Sequence, residues 1–121
     1  MTVLYRVVGR DDWEQAKLLG YVPPCGSDRR AGWVHLNCPE DVALVAGRYF
    51  APEEQPLALE LDLAGLEAQL EWLGPTPEKN WQQPVLKVSS LQLTWVSAVH
   101  ELMPRREGRT VHYRLGIAEP L

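Results

Sequence analysis

The chain predicts an α+β domain built on mainly antiparallel sheet. Strand-like and helix-like stretches alternate in its first half, strands predominate in its second, and the early connections are too short for a large doubly wound parallel sheet. No Gly-rich phosphate loop of the dinucleotide or nucleoside-triphosphate type is present, which sets aside the commonest nucleotide folds. With 121 residues the chain is the size of one domain, 1–121, with enough sequence to bury a core without staples.

The elements follow in order. Val3 to Val8 reads as a first strand. Asp11 and Asp12 cap a short helix with Trp13, Ala16 and Leu19 or Gly20 on its inner stripe, and Gly20 closes it. Tyr21 to Arg30 carries Pro23-Pro24, Gly26-Ser27 and Asp28-Arg29-Arg30, which is loop chemistry. Trp33 to Leu36 gives a second strand. The next helix has Asn37 or Cys38 as its cap, Pro39 at its first position and Glu40 and Asp41 in its first turn. Its apolar face is Val42, Val45, Ala46 and Tyr49, spaced i, i+3, i+4, i+7. Pro52 to Pro56 is a polar break.

Leu57 to Asp62 alternates strictly and predicts a strand with one buried face, after which Asp62 caps a short helix bearing Leu63, Leu66 and Leu70. Leu73 to Asn80 is a loop that delivers Trp81 and Gln82-Gln83 to a strand near Val85 to Val88. Leu91, Leu93 and Trp95 alternate in another strand. Val99 to Met103 and Thr110 to Leu115 form the arms of a carboxyl-terminal hairpin at about 97–116, with Pro104 and Gly108 bracketing a charged turn. Centred near Arg106, that hairpin would set His100 opposite His112, a pair without a third metal ligand.

Charge narrows the function classes. Twelve Lys and Arg stand against 16 Asp and Glu, a formal net charge of −4, so no global field draws the chain to nucleic acid or anionic lipid. The local basic arm of Arg105, Arg106, Arg109, His112 and Arg114 reads as a solvated hairpin tip or as a phosphate contact. No apolar run approaches the roughly 18 residues of a membrane span. Cys25 and Cys38, the two cysteines, lack metal-type spacing and are too few for a disulfide framework. The expectation is a soluble, cytoplasmic protein with reduced thiols, a monomer or weak homodimer, with a small-molecule partner and no metal.

The candidate site begins at His35, a titratable ring inside the apolar run Gly32-Trp33-Val34-His35-Leu36 and just ahead of a helix start, where it can hold an anion or move a proton. A core ring bonded to backbone has the same pattern. Arg6 on the alternating first strand either grips a phosphate or pairs with a carboxylate such as Glu60. Tyr49 belongs to the apolar stripe of its helix and packs there or touches a ligand. Trp33 and Trp81 form an aromatic wall for a planar ring or belong to the core.

Leu4-Tyr5-Arg6 with Trp13, Ala16 and Gly20, the block Gly32 to Leu36 followed by a helix ending Arg48-Tyr49-Phe50, and Leu57 to Asp62 with Leu66 and Glu71-Trp72 resemble a family of small bacterial proteins, domain of unknown function 952. The resemblance covers most of the chain. It implies an ADP-ribosyltransferase-like fold, a split pair of mainly antiparallel sheets with two or three flanking helices that clasps NAD, and a middle section similar to RNA 2'-phosphotransferases. On that resemblance Arg6 holds the dinucleotide and His35 matches the histidine of a His-Leu-Ser segment, which makes it the candidate catalytic residue. Asn37 replaces its serine or threonine. Relatives carry Phe-Pro-His-Leu-Tyr-Gly where this chain has Trp81-Gln82-Gln83-Pro84-Val85-Leu86, so Gln83 keeps hydrogen bonding but not acid–base chemistry.

The implied function is binding of a nucleotide-type ligand, NAD or an ADP-ribose derivative, with NAD as cofactor and Arg6, Trp33, His35, Asn37, Trp81 and Gln83 lining the cleft. ADP-ribosyl transfer at the ribose is the chemistry it implies, and whether the domain is an enzyme is left open. The alternatives are a non-catalytic interaction module whose cleft is plugged by Trp33 or Trp81, and a site for a non-nucleotide small molecule.

Overall fold

The computed structural model describes residues 3–121. In chain order it holds β1 (Leu4–Val8), α1 (Arg10–Leu19), β2 (Tyr21–Val22), α2 (Gly26–Ala31), β3 (Val34–His35), α3 (Val42–Tyr49), β4 (Leu57–Leu61), β5 (Leu70–Leu73), β6 (Gln83–Leu86), β7 (Leu91–Gln92), β8 (Val96–Glu107) and β9 (Thr110–Pro120). A four-stranded sheet runs β1-β4-β8-β9, a second runs β3-β6-β5, and β2 pairs with β7. Every strand pair among the described residues is antiparallel, as expected of short connections.

Alternation along the large sheet makes two cores. Leu4, Val8, Leu57, Leu59 and Leu61 face one way, joining Trp13 and Ala16 of α1 with Val34 and Leu86 of the smaller sheet. Tyr5, Val7 and Ala58 face the other way, against Val42, Val45 and Ala46 of α3 and against Trp81. Burial on both faces explains why β4, expected to have one buried face, is covered on each side. A fully buried Leu such as Leu59 stabilises the fold by about 2 kcal/mol through area removed from water.

Several expectations are met with adjusted ends. α1 closes at Gly20 in the left-handed region, φ 84°, where glycine carries no Cβ penalty. α3 follows a tight turn at Pro39–Asp41 and buries Val42, Val45 and Ala46. Tyr49, the fourth residue of the stripe, is instead 51% exposed.

Other expectations are corrected. Tyr21 to Arg30 is not all loop, since it holds β2 and α2. α2 has no apolar stripe and is defined by its ends: the Asp28 carboxylate accepts the Cys25 backbone N–H at 3.2 Å, and Gly32 closes it at φ 78°. Asp62 accepts the Ala64 N–H at 3.0 Å yet starts only a turn, and Leu70 opens strand β5 in place of ending a helix. Past Gln92 the expected strand becomes a turn at Leu93–Trp95.

The hairpin is longer than expected, and Pro104 lies inside β8 opposite Tyr113. Glu107 pairs with Thr110 around a Gly108-Arg109 turn, and the pairing shifts by a bulge between His100 and Leu102. Arg105 therefore faces His112 and His100 faces Ala118, so the anticipated histidine pair does not form. At the tip, Arg106 pairs with Glu53 at 3.0 Å in the open.

Candidate functional site

β1 is an edge strand, and its outer side carries the site. Tyr5 exchanges two backbone hydrogen bonds with Asn37, N–H to O at 2.8 Å and the reverse at 2.7 Å. Leu36 N–H donates to Pro84 O at 2.9 Å, so the segment after β3 stitches the small sheet to the large one. Two residues past Tyr5, Val7 turns its backbone N–H and C=O to the same outer side, because these groups alternate along an antiparallel strand. There a hollow of about 320 Å³ opens, lined by residues that include Arg6, Val7, Cys25, His35, Asn37, Tyr49, Trp81 and Gln83. This size is at the low end for small-molecule sites.

A buried ion pair reaches it through Arg6 and continues beneath it. Arg6 and Asp28 are each 5% exposed, and their guanidinium and carboxylate meet as a fork, Nη2 to Oδ2 at 2.6 Å and Nη1 to Oδ1 at 3.2 Å. Nη1 also donates to the His35 backbone O at 2.6 Å. Asp28 Oδ1 in turn accepts the His35 backbone N–H at 2.8 Å and lies 3.0 Å from Nδ1 of its ring. Burial by itself would raise the Asp28 carboxyl, but the His35 hydrogen bond, then the bond and charge of Arg6, outweigh it and hold the group well below the usual carboxylate range. Burial pulls the Arg6 guanidinium down, and Asp28, with Cys25 after it, more than reverses this.

Arg6 thus has a carboxylate partner other than the Glu60 considered from sequence. The register sets Arg6 opposite Leu59 and Tyr5 opposite Glu60, which puts the Glu60 side chain on the far face, where it accepts from Tyr5 at 3.3 Å and meets His100 Nε2 at 2.9 Å.

Of the six residues expected in the cleft, Arg6, His35, Asn37, Trp81 and Gln83 line the hollow. Gln83 is tethered by a bond from Nε2 to the Gly74 O at 3.3 Å. Trp33 is the correction. It precedes the two-residue β3, lies outside the hollow, is 38% exposed and carries the Lys87 ammonium 4.9 Å above its ring. Trp81 forms wall, with Tyr49 edge-on at 6.3 Å and the Arg48 guanidinium at 6.0 Å, so neither tryptophan plugs the opening.

Sequence reasoning missed Asp28 as a site residue and also Phe50, Arg30 and Lys79, which line the same hollow. The Cys25-x-x-Asp28 spacing of a capping residue three positions into a helix, with Gly32 after it, was the available signal for Asp28. Separately, Cys38, Glu40 and Asp41 bring one ligand atom each within 4.8 Å of one another, but none of them lines the hollow.

An α+β domain with a ligand-sized hollow at a sheet edge, lined by a histidine that a buried aspartate clamps, is the class that fold and site define. The chain belongs to the family described as Protein of unknown function (DUF952), whose model matches residues 7–93. The crystal structure of protein CC0527 from Caulobacter crescentus is similar, with a TM-score of 0.73 at 22% identity over 92% of this chain and 93% of that one. Its solution NMR structure gives 0.69 at 22% identity over 92% and 91%. The likeness is one of fold. No functionally curated protein matches the chain.

Proposed function

We propose that this domain binds a nucleotide-type small molecule, NAD or an ADP-ribose derivative, in the hollow beside β1, within an ADP-ribosyltransferase-like arrangement of its sheets. The observation that carries this reading is His35, tied through Nδ1 to a buried carboxylate while the residue lines an open hollow walled by Tyr49, Phe50 and Trp81. In support stand the antiparallel sheets and flanking helices, and the middle section that resembles the RNA 2'-phosphotransferases.

Each wall has a task. The outward backbone of Val7 offers one donor and one acceptor, which suits the amide of a nicotinamide or the edge of an adenine. Trp81 and Tyr49 offer π faces and edges to the same ring. His35 and Asn37 bond ribose hydroxyls. Arg30 and Lys79 bring positive charge to the phosphates, while Arg6, its guanidinium engaged below, chiefly fixes Asp28. The volume suits one nucleoside half of a dinucleotide, with the remainder running out of the hollow. If transfer takes place, the site acts by positioning the ribose and stabilising developing positive charge, with no covalent nucleophile required.

The test is titration calorimetry with NAD and with ADP-ribose on the wild-type chain, His35→Gln and Trp81→Leu. Binding by the wild type that weakens in both variants is expected, with loss of ring stacking in Trp81→Leu costing about 1–3 kcal/mol. Failure of the wild type to bind either compound removes the nucleotide reading.

A further inference from the structure

We propose that Asp28 is a positioning residue that holds the proton of His35 on Nδ1, so that Nε2 meets the ligand as a hydrogen-bond acceptor and the site selects molecules that present a hydroxyl or N–H there. The ligand half of this inference rests on the reading of the hollow given above. The Asp28 half rests on the protein alone.

Donors and acceptors around Asp28 place the proton. Asp28 receives two bonds from Arg6, one from the Cys25 backbone and one from the His35 backbone. A guanidinium and a backbone N–H can only donate, so the carboxylate accepts in all four cases and is held in its ionised, acceptor-only form. Its fifth contact, Nδ1 of His35 at 3.0 Å, is consequently an N–H that donates. A neutral imidazole carries one proton, which leaves the lone pair on Nε2.

The ring is also fixed in place. Asp28 Oδ1 grips both the backbone and the ring of His35, and Arg6 holds the His35 carbonyl from the other side. Five further groups that line the hollow are titratable or charged: Arg6 on β1, Cys25 and Arg30 at α2, Tyr49 on α3, and Lys79 from the loop before β6. Asp28 is the carboxylate among the lining groups' partners that contacts the ring, so the direction of the ring proton is set by that one residue. A ligand lacking a donor at Nε2 leaves the lone pair without water or partner, which predicts roughly tenfold or weaker binding.

Two measurements decide the matter. Long-range nitrogen–proton NMR on the ligand-free chain at neutral to mildly alkaline pH, with His35 assigned by its disappearance in His35→Gln, reads the protonation of each ring nitrogen. A protonated Nδ1 with a bare Nε2 is expected, whereas a bare Nδ1, or protons on both, overturns the proposal. In Asp28→Ala the ring loses its acceptor, so the proton is expected to shift toward Nε2, the position a free neutral imidazole favours. An unchanged His35 spectrum in that folded variant overturns the positioning role, and Arg6→Met/Asp28→Ala serves the same purpose if the single change does not fold. Calorimetry with adenosine monophosphate and its dideoxy analogue reads the ligand half: a roughly tenfold deficit for the analogue that vanishes in His35→Gln is expected. Equal affinities overturn the hydroxyl selection. Absence of binding by both overturns the ligand half, the proposed function being decided separately by NAD and ADP-ribose, while the ligand-free spectrum still decides the role of Asp28.

Discussion

Replacing Arg6 by Met keeps the length and apolar stem of the side chain and removes its charge, which leaves Asp28 ionised in a site that is 5% exposed. Breaking a buried ion pair from one side costs about 3–5 kcal/mol. Asp28 keeps the Cys25 N–H, the His35 N–H and the His35 ring as partners, so the lower figure applies, about 3 kcal/mol. With a urea slope of about 2 kcal/mol per M for a domain of this size, the midpoint falls by roughly 1.5 M.

The pH dependence carries the sharper signature. In the wild type the Asp28 carboxyl is depressed, so its stabilisation is present above the unfolded carboxylate value near 3.9 and is lost as pH falls through the folded value. Without Arg6 the group loses part of what holds it down, so Asp28 takes up a proton at higher pH than in the wild type and the variant gains relative stability there. The gap between the two proteins should therefore narrow below about pH 4. Urea titrations followed by tryptophan fluorescence at several pH values measure this. A loss under about 1 kcal/mol at neutral pH, or one that stays constant into acid, would refute the view that Arg6 and Asp28 form a closed, desolvated pair. Removing both charges in Arg6→Met/Asp28→Leu should recover only part of the stability, because the Cys25 and His35 backbone N–H groups lose their acceptor.

Two more outcomes are expected. The native chain should show one fast thiol with a chromogenic disulfide reagent and two after denaturation, because Cys25 is exposed and Cys38 buried, with burial and then Glu40 and Asp41 pushing the Cys38 thiol up; two fast native thiols would contradict this. Gly32→Ala, at φ 78°, should lower stability by about 1–2 kcal/mol in thermal unfolding and loosen the exit from α2 toward His35, whereas an unchanged midpoint would show that the turn adapts.

Where a segment's own pattern decides its structure, the sequence was legible. β1, the Gly20 stop of α1, the Val42-Val45-Ala46 face of α3 and β4 all follow from spacing and caps. α2 was hidden because its six residues, Gly26–Ala31, hold no apolar stripe, leaving only its end signals. Leu70 read as the last contact of a helix because Leu63, Leu66 and Leu70 share helical spacing, but pairing with Leu86 in β6 decided for strand. The site divides in the same way. Arg6 and His35 stood out as polar groups in apolar strands, while Asp28 could be joined to them only through the approach of α2 to β1, a contact between residues 22 positions apart. Glu60 was plausible as the partner of Arg6 until the one-residue offset in register put it on the opposite face.

The outermost strand of the large sheet has a consequence for how the protein behaves in a crowd. β9 is eleven residues long and ends the order β1-β4-β8-β9, with Ile117 91% exposed, features that ordinarily invite a neighbour to add itself to the ladder. The bulge opposite Glu101 throws the strand out of plane, Gly116 lies so close that a Cβ there would approach the Glu101 O to 3.0 Å, and Pro120 cannot donate to a visiting chain. These irregularities blunt a template for runaway polymerisation, so a substitution that straightened this border would trade solubility for fibre growth.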